Sequence, residues 1–290
     1  KRLSTHGIPK NINCHEETAD FIILPRGCKE ALIKVIEDKG IAPLFDDQTQ
    51  IGKEITANFK GVLTSEQQIA VEKLLDYPIG ILSAATGFGK TVIAAALIAQ
   101  RKVNTLIIVH RKQLMEQWKE RLNTFIDKGT LIGQIGGGKN KQTFTIDIVT
   151  IQSLNYRGEI KDDLTKYGQI IVDECHHISA VSFEKVMKKV EAKYVCGLTA
   201  TPMRKDGLHP IMMMQLGPIR YKVTAKSNAK VHSFEHILHP RYTNFKCSVP
   251  NDTKQIQEIY KEIVHDSARN YLIFDDVLKR FGHGIPEFML

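Results

Sequence analysis

A glycine-rich loop that ends in a lysine is the segment of this sequence whose residue types and spacing point most directly to chemistry. Gly87, Gly89, Lys90 and Thr91 follow the short apolar run at residues 79–83 and precede a second apolar stretch. Glycines let backbone N–H groups curl around phosphate oxygens, a helix that begins here turns its positive end toward them, and lysine adds a mobile charge. This is the P-loop pattern on a strand, a turn and a helix, so we expect the loop to bind nucleotide phosphates.

The loop departs from the pattern at its first position, where Ala84 replaces glycine. The glycines nearest Lys90 are present, so we expect this departure to matter little for phosphate binding. The alternative is a glycine-rich turn between a strand and a helix that holds no ligand. The residues predicted to surround the nucleotide are Ala84, Ala85, Thr86, Gly87, Phe88, Gly89, Lys90 and Thr91.

Two carboxylates, Asp173 and Glu174, end a second apolar run at residues 169–172. Such a run predicts a buried parallel strand, whose carboxyl end would deliver both acids to the ligand edge of a sheet. Asp173 would hold Mg²⁺ together with the hydroxyl of Thr91, and Glu174 would orient and deprotonate a water that attacks ATP. With Lys90, the two acids are the predicted catalytic residues. The alternative is a strand that ends in solvated acids.

These segments resemble the motifs of a known family. The loop at residues 84–91, the run Asp173-Glu174-Cys175-His176 and the run at residues 197–202 are similar to the first motor domain of superfamily 2 helicases, with a DECH form of the acidic motif. The strongest likeness is to the branch of xeroderma-pigmentosum B-type DNA-repair helicases and motor subunits of restriction enzymes. The order and spacing of the motifs agree from residue 62 to about residue 225.

The resemblance implies roles for residues outside the loop and the acidic pair. Gln67, in a Q-like motif, would read the adenine edge. Contacts to a nucleic-acid backbone would come from Arg111, Lys112, Gln152 and Ser153. Nucleotide state would be relayed by His176, Thr199 and Thr201. Arg204 matches an arginine of the same branch, and the resemblance leaves its role open.

Strands alternate with helices between residues 61 and 221, which predicts an α/β fold with a parallel, doubly wound, RecA-like sheet. The strands are predicted at residues 79–83, 105–109, 145–149, 169–172 and 194–198, with helices such as 111–125 and 181–190. Trp118 is spaced to face the core rather than a base. The glycines at residues 136–138 predict a turn, not a second phosphate cradle, because no Ser or Thr follows them.

Four segments are expected along the chain. Residues 1–60 form an accessory βαββ unit, with a strand at 21–24, a helix at 29–39 and two short strands around 46–52. Residues 61–225 form the ATP-binding domain, and 226–252 a linker. Residues 253–290 begin a second RecA-like domain with an amphipathic helix and a strand at 286–290. The arginine fingers of the second domain would be missing, so we expect a piece of a longer motor that binds ATP but hydrolyses it slowly.

Composition agrees with a nucleic-acid partner. The formal net charge of +8 favours a polyanion, and the resemblance favours DNA, duplex or single-stranded, over RNA. No run of 18 apolar residues and no signal-peptide layout occur, so we expect no membrane partner and a cytoplasmic location, with nucleoid association as a variant. The five cysteines show no zinc spacing and are expected to be reduced.

Three functions are compatible with these features. The first is an ATP-dependent helicase motor, and the second is a translocase that moves on duplex DNA without separating the strands. The third is a nucleotide-gated module that docks nucleic acid or a partner and catalyses little.

Overall fold

The computed structural model describes residues 14–156, 159–160, 162–177, 180–201, 209–223, 240–248 and 256–281. The chain divides into two compact units, Lys1–Ser233 and Phe234–Leu290. Across the described residues, no helix is both long and apolar enough to cross a membrane.

The first unit contains one large sheet and its covering helices. Its strands are β1 (Glu16–Glu17), β2 (Ile22–Ile23), β3 (Ile79–Ala84), β4 (Thr105–Val109), β5 (Ile132–Gly136), β6 (Lys139–Lys141), β7 (Ile146–Thr150), β8 (Asn155–Tyr156), β9 (Glu159–Ile160), β10 (Gln169–Val172), β11 (Tyr194–Thr199) and β12 (Ile219–Val223). Its α-helices are α1 (Lys29–Glu37), α2 (Ser65–Leu75), α3 (Lys90–Arg101), α4 (Lys112–Phe125), α5 (Ile151–Leu154), α6 (Ala180–Lys188) and α7 (His209–Leu216). Short 3₁₀ helices occupy Arg26–Cys28, Asp162–Lys166 and Cys175–His177.

The large sheet has eight strands in the order β12-β3-β11-β10-β4-β7-β5-β6. All its pairs are parallel except β5 with β6, which forms an antiparallel hairpin at one edge. Successive strand residues alternate between two apolar cores: Leu82 and Ile171 join one, while Ile81 and Ile170 join the other. Helices α2, α3 and α4 cover the first core and α5, α6 and α7 the second. The predicted doubly wound α/β sheet is therefore confirmed.

The five strands predicted from apolar runs are all present, as β3, β4, β7, β10 and β11, and none differs by more than one residue at either end. The predicted helices at 111–125 and 181–190 correspond to α4 and α6. Three further strands of the sheet, β5, β6 and β12, were not predicted. The turn predicted at the glycines is confirmed, because residues 137–138 connect β5 to β6.

The segment before α2 is hydrogen-bonded to the amino-terminal edge of the sheet. The strand and helix predicted first correspond to β2 and α1, but the prediction of two short strands around residues 46–52 is wrong. Within the described residues 14–156, that stretch forms only isolated bridges, Gln50 with Ala192 and, just beyond it, Glu54 with Val103. Its backbone groups bond to loops that precede sheet strands, as in the 2.7 Å bond from Gln50 N to Glu191 O. The sheet therefore holds this segment extended.

The second unit contains two amphipathic helices, α8 (Ile256–His265) and α9 (Ser267–Phe281). The predicted helical pattern is confirmed, with a break at Asp266, whose Oδ1 accepts a 2.6 Å hydrogen bond from Arg269 N at the start of α9. Arg241 also pairs with Asp276 of α9, with 2.6 Å between Nη2 and Oδ1. The strand predicted at residues 286–290 and Arg204 lie outside the described residues.

Candidate functional site

The predicted phosphate loop connects β3 to α3 at the carboxyl edge of the sheet. Gly87 and Gly89 have φ angles of +85° and +91°, a left-handed backbone that favours glycine. A Cβ atom on Gly89 would lie 2.5 Å from Nε2 of Gln67, so a side chain there would displace the end of the Gln67 side chain. Phe88 and Ala84 are buried and anchor the loop, whereas Thr86 and Gly87 are exposed. The exposed part of the loop is therefore its tip, just before α3 begins.

Lys90 lies between the loop and the acidic pair. Its Nζ donates to Ala84 O at 3.2 Å and lies 3.5 Å from Oε1 of Glu174. Both side chains are largely sheltered, with 11% and 23% of their surface exposed. The strand order places β3 and β10 on either side of β11, so the loop after β3 and the acids after β10 share one edge. The structure therefore brings the three predicted catalytic residues together.

Asp173 is a buried carboxylate with both oxygens engaged. Its Oδ2 accepts a 2.7 Å hydrogen bond from Trp118 Nε1, and its Oδ1 accepts a 2.9 Å bond from Glu174 N. Burial raises the pKa of Asp173, while the bond from Trp118 lowers it and the neighbouring Glu174 charge raises it further. The carboxylate and the hydroxyl of Thr91, the second residue of α3, supply oxygen donors only, which are the ligands that Mg²⁺ prefers. These residues fit the predicted ion.

Glu174 begins a chain of contacts that reaches the next strand. Its backbone has a φ of +44°, and its Oε2 lies 3.2 Å from Nδ1 of His176. The same nitrogen lies 2.8 Å from Oγ1 of Thr199, which in turn accepts a 3.1 Å bond from Thr201 N. The three residues predicted to relay the nucleotide state thus form a continuous path from the acidic pair.

Gln67 contacts the phosphate loop directly. Its Nε2 donates to Phe88 O at 2.8 Å, and its Oε1 accepts from Thr64 N at 3.0 Å. The second bond belongs to a capping box at the start of α2, in which Thr64 Oγ1 accepts from Gln67 N. The structure therefore shows Gln67 as a brace between α2 and the loop, while adenine recognition by this residue stays a prediction.

The residues predicted to bind nucleic acid gather around the turn between β5 and β6. Arg111 and Lys112 are exposed at the start of α4. The aliphatic part of the Lys112 side chain packs against Gly137, where an added Cβ atom would lie 2.7 Å from Cε of Lys112. Ser153 closes the other side, because a Cβ on Gly136 would lie 2.4 Å from its Oγ. Gln152 Nε2 donates to His110 O at 3.3 Å. An exposed polar surface with two cations results.

Two features of the site were not predicted from the sequence. Trp118 is 2% exposed, which confirms its core position, but its contact with Asp173 joins residues 55 positions apart. The packing of Lys112 against Gly137 likewise joins distant parts of the chain, the start of α4 and the turn between β5 and β6. The three consecutive glycines at residues 136–138 were the available sequence signal for the second feature. In the structure each has a positive φ, and two of them, Gly136 and Gly137, have little room for a side chain.

Comparison with known families and proteins agrees with this geometry. The family described as "Type III restriction enzyme, res subunit" matches residues 43–204, more than half of the chain. The chain is 33% identical over 193 residues to the "DNA 3'-5' translocase XPB2" of Sulfurisphaera tokodaii, a match that covers 67% of this chain and 42% of that protein. A putative ATP-dependent RNA helicase of Acanthamoeba polyphaga mimivirus is 30% identical over 217 residues, covering 70% and 41%.

The fold has a counterpart among solved structures. The UvsW helicase from bacteriophage T4 superposes with a TM-score of 0.55 at 20% identity, covering 70% of this chain and 80% of that one. This likeness supports the fold. The chain spans about two fifths of the length of the two curated relatives named above, at 42% and 41%.

Proposed function

Because this chain belongs to the family of the type III restriction enzyme res subunit, we propose that it is a motor domain that hydrolyses ATP and moves on nucleic acid, as a helicase or translocase. The observation that carries the proposal is the 3.5 Å approach of Lys90 Nζ to Glu174 Oε1, across the join between the phosphate loop and the acidic pair. One cation and one carboxylate are thereby placed where phosphate chemistry needs them.

Each residue of the site has a role in the proposed reaction. The backbone of residues 84–91 holds the phosphates, and Lys90 moves from Ala84 O and Glu174 to the β- and γ-phosphate oxygens. Thr91 and Asp173 would hold Mg²⁺, which when bound neutralises charge that develops on the transferred phosphoryl group. Glu174, released from Lys90, orients the attacking water and accepts its proton.

The relay from Glu174 through His176 to Thr199 and Thr201 would report the nucleotide state to the rest of the motor. Its contacts are 3.2, 2.8 and 3.1 Å long. Because each step is a hydrogen bond or a close polar contact, a displacement of Glu174 by bound nucleotide would also shift Thr201. Thr201 itself is exposed, where a neighbouring element could respond.

The proposed partner is DNA, because relatives of this chain include proteins named as a DNA 3'-5' translocase and a putative DNA 3'-5' helicase. Arg111 and Lys112 would contact phosphates, and Gln152 and Ser153 would line the same surface. Contacts of this kind position a strand without reading its sequence, and they weaken as salt displaces the protein from the backbone. Other relatives are named as putative ATP-dependent RNA helicases, so RNA is the comparison to include.

The test measures ATP hydrolysis with Mg²⁺ alone, with duplex DNA, with single-stranded DNA and with RNA. We expect DNA to accelerate hydrolysis by the wild-type chain and Glu174→Gln to abolish hydrolysis while nucleotide still binds. Glu120→Gln, which changes an exposed carboxylate on α4, is the matched control and should behave as wild type. Because the arginine fingers of a second domain are expected to be missing here, the same assay is repeated on the full-length protein. Nucleotide binding with no hydrolysis under any condition, even there, would favour a docking module and refute the motor.

A further inference from the structure

Trp118 is the only tryptophan of the chain, and it is buried against the acidic pair. Its ring belongs to the core that α2, α3 and α4 share with the sheet, together with Met115 and Leu122 of the same helix. The indole N–H donates a 2.7 Å hydrogen bond to Asp173 Oδ2. A buried indole N–H needs an acceptor, and here the acceptor is an ionisable side chain rather than a backbone carbonyl.

This contact fixes the orientation of the carboxylate. The other oxygen of Asp173 is held by Glu174 N at 2.9 Å, and the residue's own N–H donates to Ile108 O of β4 at 2.9 Å. The backbone bond fixes the main chain at Asp173, and the two bonds to the carboxyl oxygens orient the carboxyl group. The remaining lone pairs are left in fixed directions, which is the arrangement that an outer-shell donor gives to a metal ligand.

We propose that Trp118 is a positioning residue, which orients Asp173 for the metal–nucleotide complex through its indole N–H; this role rests on the proposed function. The helix that carries it begins at Lys112, with Arg111 as its N-cap, so the surface proposed for nucleic acid and the donor to Asp173 share one rigid element. Trp118 lies less than two turns from Lys112. A shift of α4 on strand binding would reach Asp173 through this side chain.

The contact itself is tested by ¹⁵N NMR of the metal-free chain, which has one indole N–H resonance. We expect Asp173→Asn to move that resonance upfield, toward the position of an indole without a charged acceptor. Glu120→Gln, on the exposed side of the same helix, should leave it in place, and the dispersion of the backbone resonances reports whether each variant is folded. An indole resonance that is the same in wild type and in folded Asp173→Asn would refute the contact.

The positioning role is tested by the Mg²⁺ dependence of binding of a fluorescent ATP analogue. Trp118→Phe keeps an aromatic ring and removes the donor, so we expect the half-saturating Mg²⁺ concentration to rise by about tenfold or more, since outer-shell partners usually contribute that much. Binding of the analogue without Mg²⁺ should not change. Met115→Leu, a buried change on the same helix, should match wild type in both measurements.

Two results would overturn the inference. One is an unchanged Mg²⁺ dependence in Trp118→Phe, and the other is an equal loss of binding with and without Mg²⁺, which would indicate packing alone. A wild-type chain that binds the analogue with no Mg²⁺ dependence would instead contradict the proposed function, while the NMR result would still decide whether the contact exists.

Discussion

Replacement of Gln67 by alanine separates two roles that this residue could have. In the structure the side chain donates to Phe88 O at 2.8 Å and accepts from Thr64 N at 3.0 Å. Losing half of a capping box and one partly buried hydrogen bond should lower the free energy of unfolding by about 1.5 kcal/mol. For a unit of this size, that corresponds to a melting temperature lower by about 3–6 °C.

The base of the nucleotide provides the second measurement. If Gln67 braces the phosphate loop, Gln67→Ala should weaken ATP and GTP binding by the same factor, because the loop contacts phosphates only. If the residue reads adenine, ATP binding alone should weaken. Melting curves and titrations with both nucleotides distinguish these outcomes.

Gln68→Ala is the matched control. Gln68 is the next residue on α2, is exposed, and makes one 2.8 Å bond to Glu72 within the helix. Its loss should change the free energy of unfolding by only about 0.3 kcal/mol. The bracing role of Gln67 would be refuted if Gln67→Ala had the same melting temperature as Gln68→Ala and lost affinity for ATP only.

Three further predictions follow from the described contacts. Lys90→Ala should weaken ATP binding by about 100-fold or more in a titration, because a sheltered cation facing the phosphates is lost; equal affinity would contradict the loop assignment. Arg111→Ala should reduce the slope of log affinity for DNA against log salt by about one, whereas Arg121→Ala on the same helix should not; identical slopes would exclude Arg111 from the interface. Asp147→Ala should lower the free energy of unfolding by about 3 kcal/mol or more in denaturant titrations, because the buried carboxylate accepts bonds from Thr143 N, Phe144 N and Tyr167 Oη at 2.7–2.8 Å. Asp163→Ala removes a half-exposed carboxylate that pairs with Lys166 and should cost only about 0.5 kcal/mol; similar losses for both would refute the Asp147 account.

The central strands were predictable because each is mostly apolar and almost wholly buried, as in Thr-Leu-Ile-Ile-Val of β4. The missed strands lack that signal. β5 has the sequence Ile-Gly-Gln-Ile-Gly and β12 has Ile-Arg-Tyr-Lys-Val, so glycines and charges interrupt the apolar pattern. The extended segment near Gln50 could not be predicted because its partners, such as Glu191, lie far away in the chain.

The same distinction applies to the site. The phosphate loop was predictable because its chemistry is written in consecutive residues, with a strand before it and a helix after it. The acidic pair was predictable because it ends a buried strand. The brace from Gln67 to Phe88 and the bond from Trp118 to Asp173 span 21 and 55 positions, so only the packing of helices on the sheet brings the partners together.

The left-handed backbone of Glu174 lowers the stability of the fold at a residue that the proposed reaction needs. A φ of +44° costs a side-chain-bearing residue about 1 kcal/mol or more, and glycine would escape most of that cost. A library selected only for resistance to heat should therefore enrich glycine at position 174, and those variants would lack the carboxylate that the reaction needs. Laboratory evolution of a more robust motor should accordingly hold this codon fixed and seek its gains elsewhere.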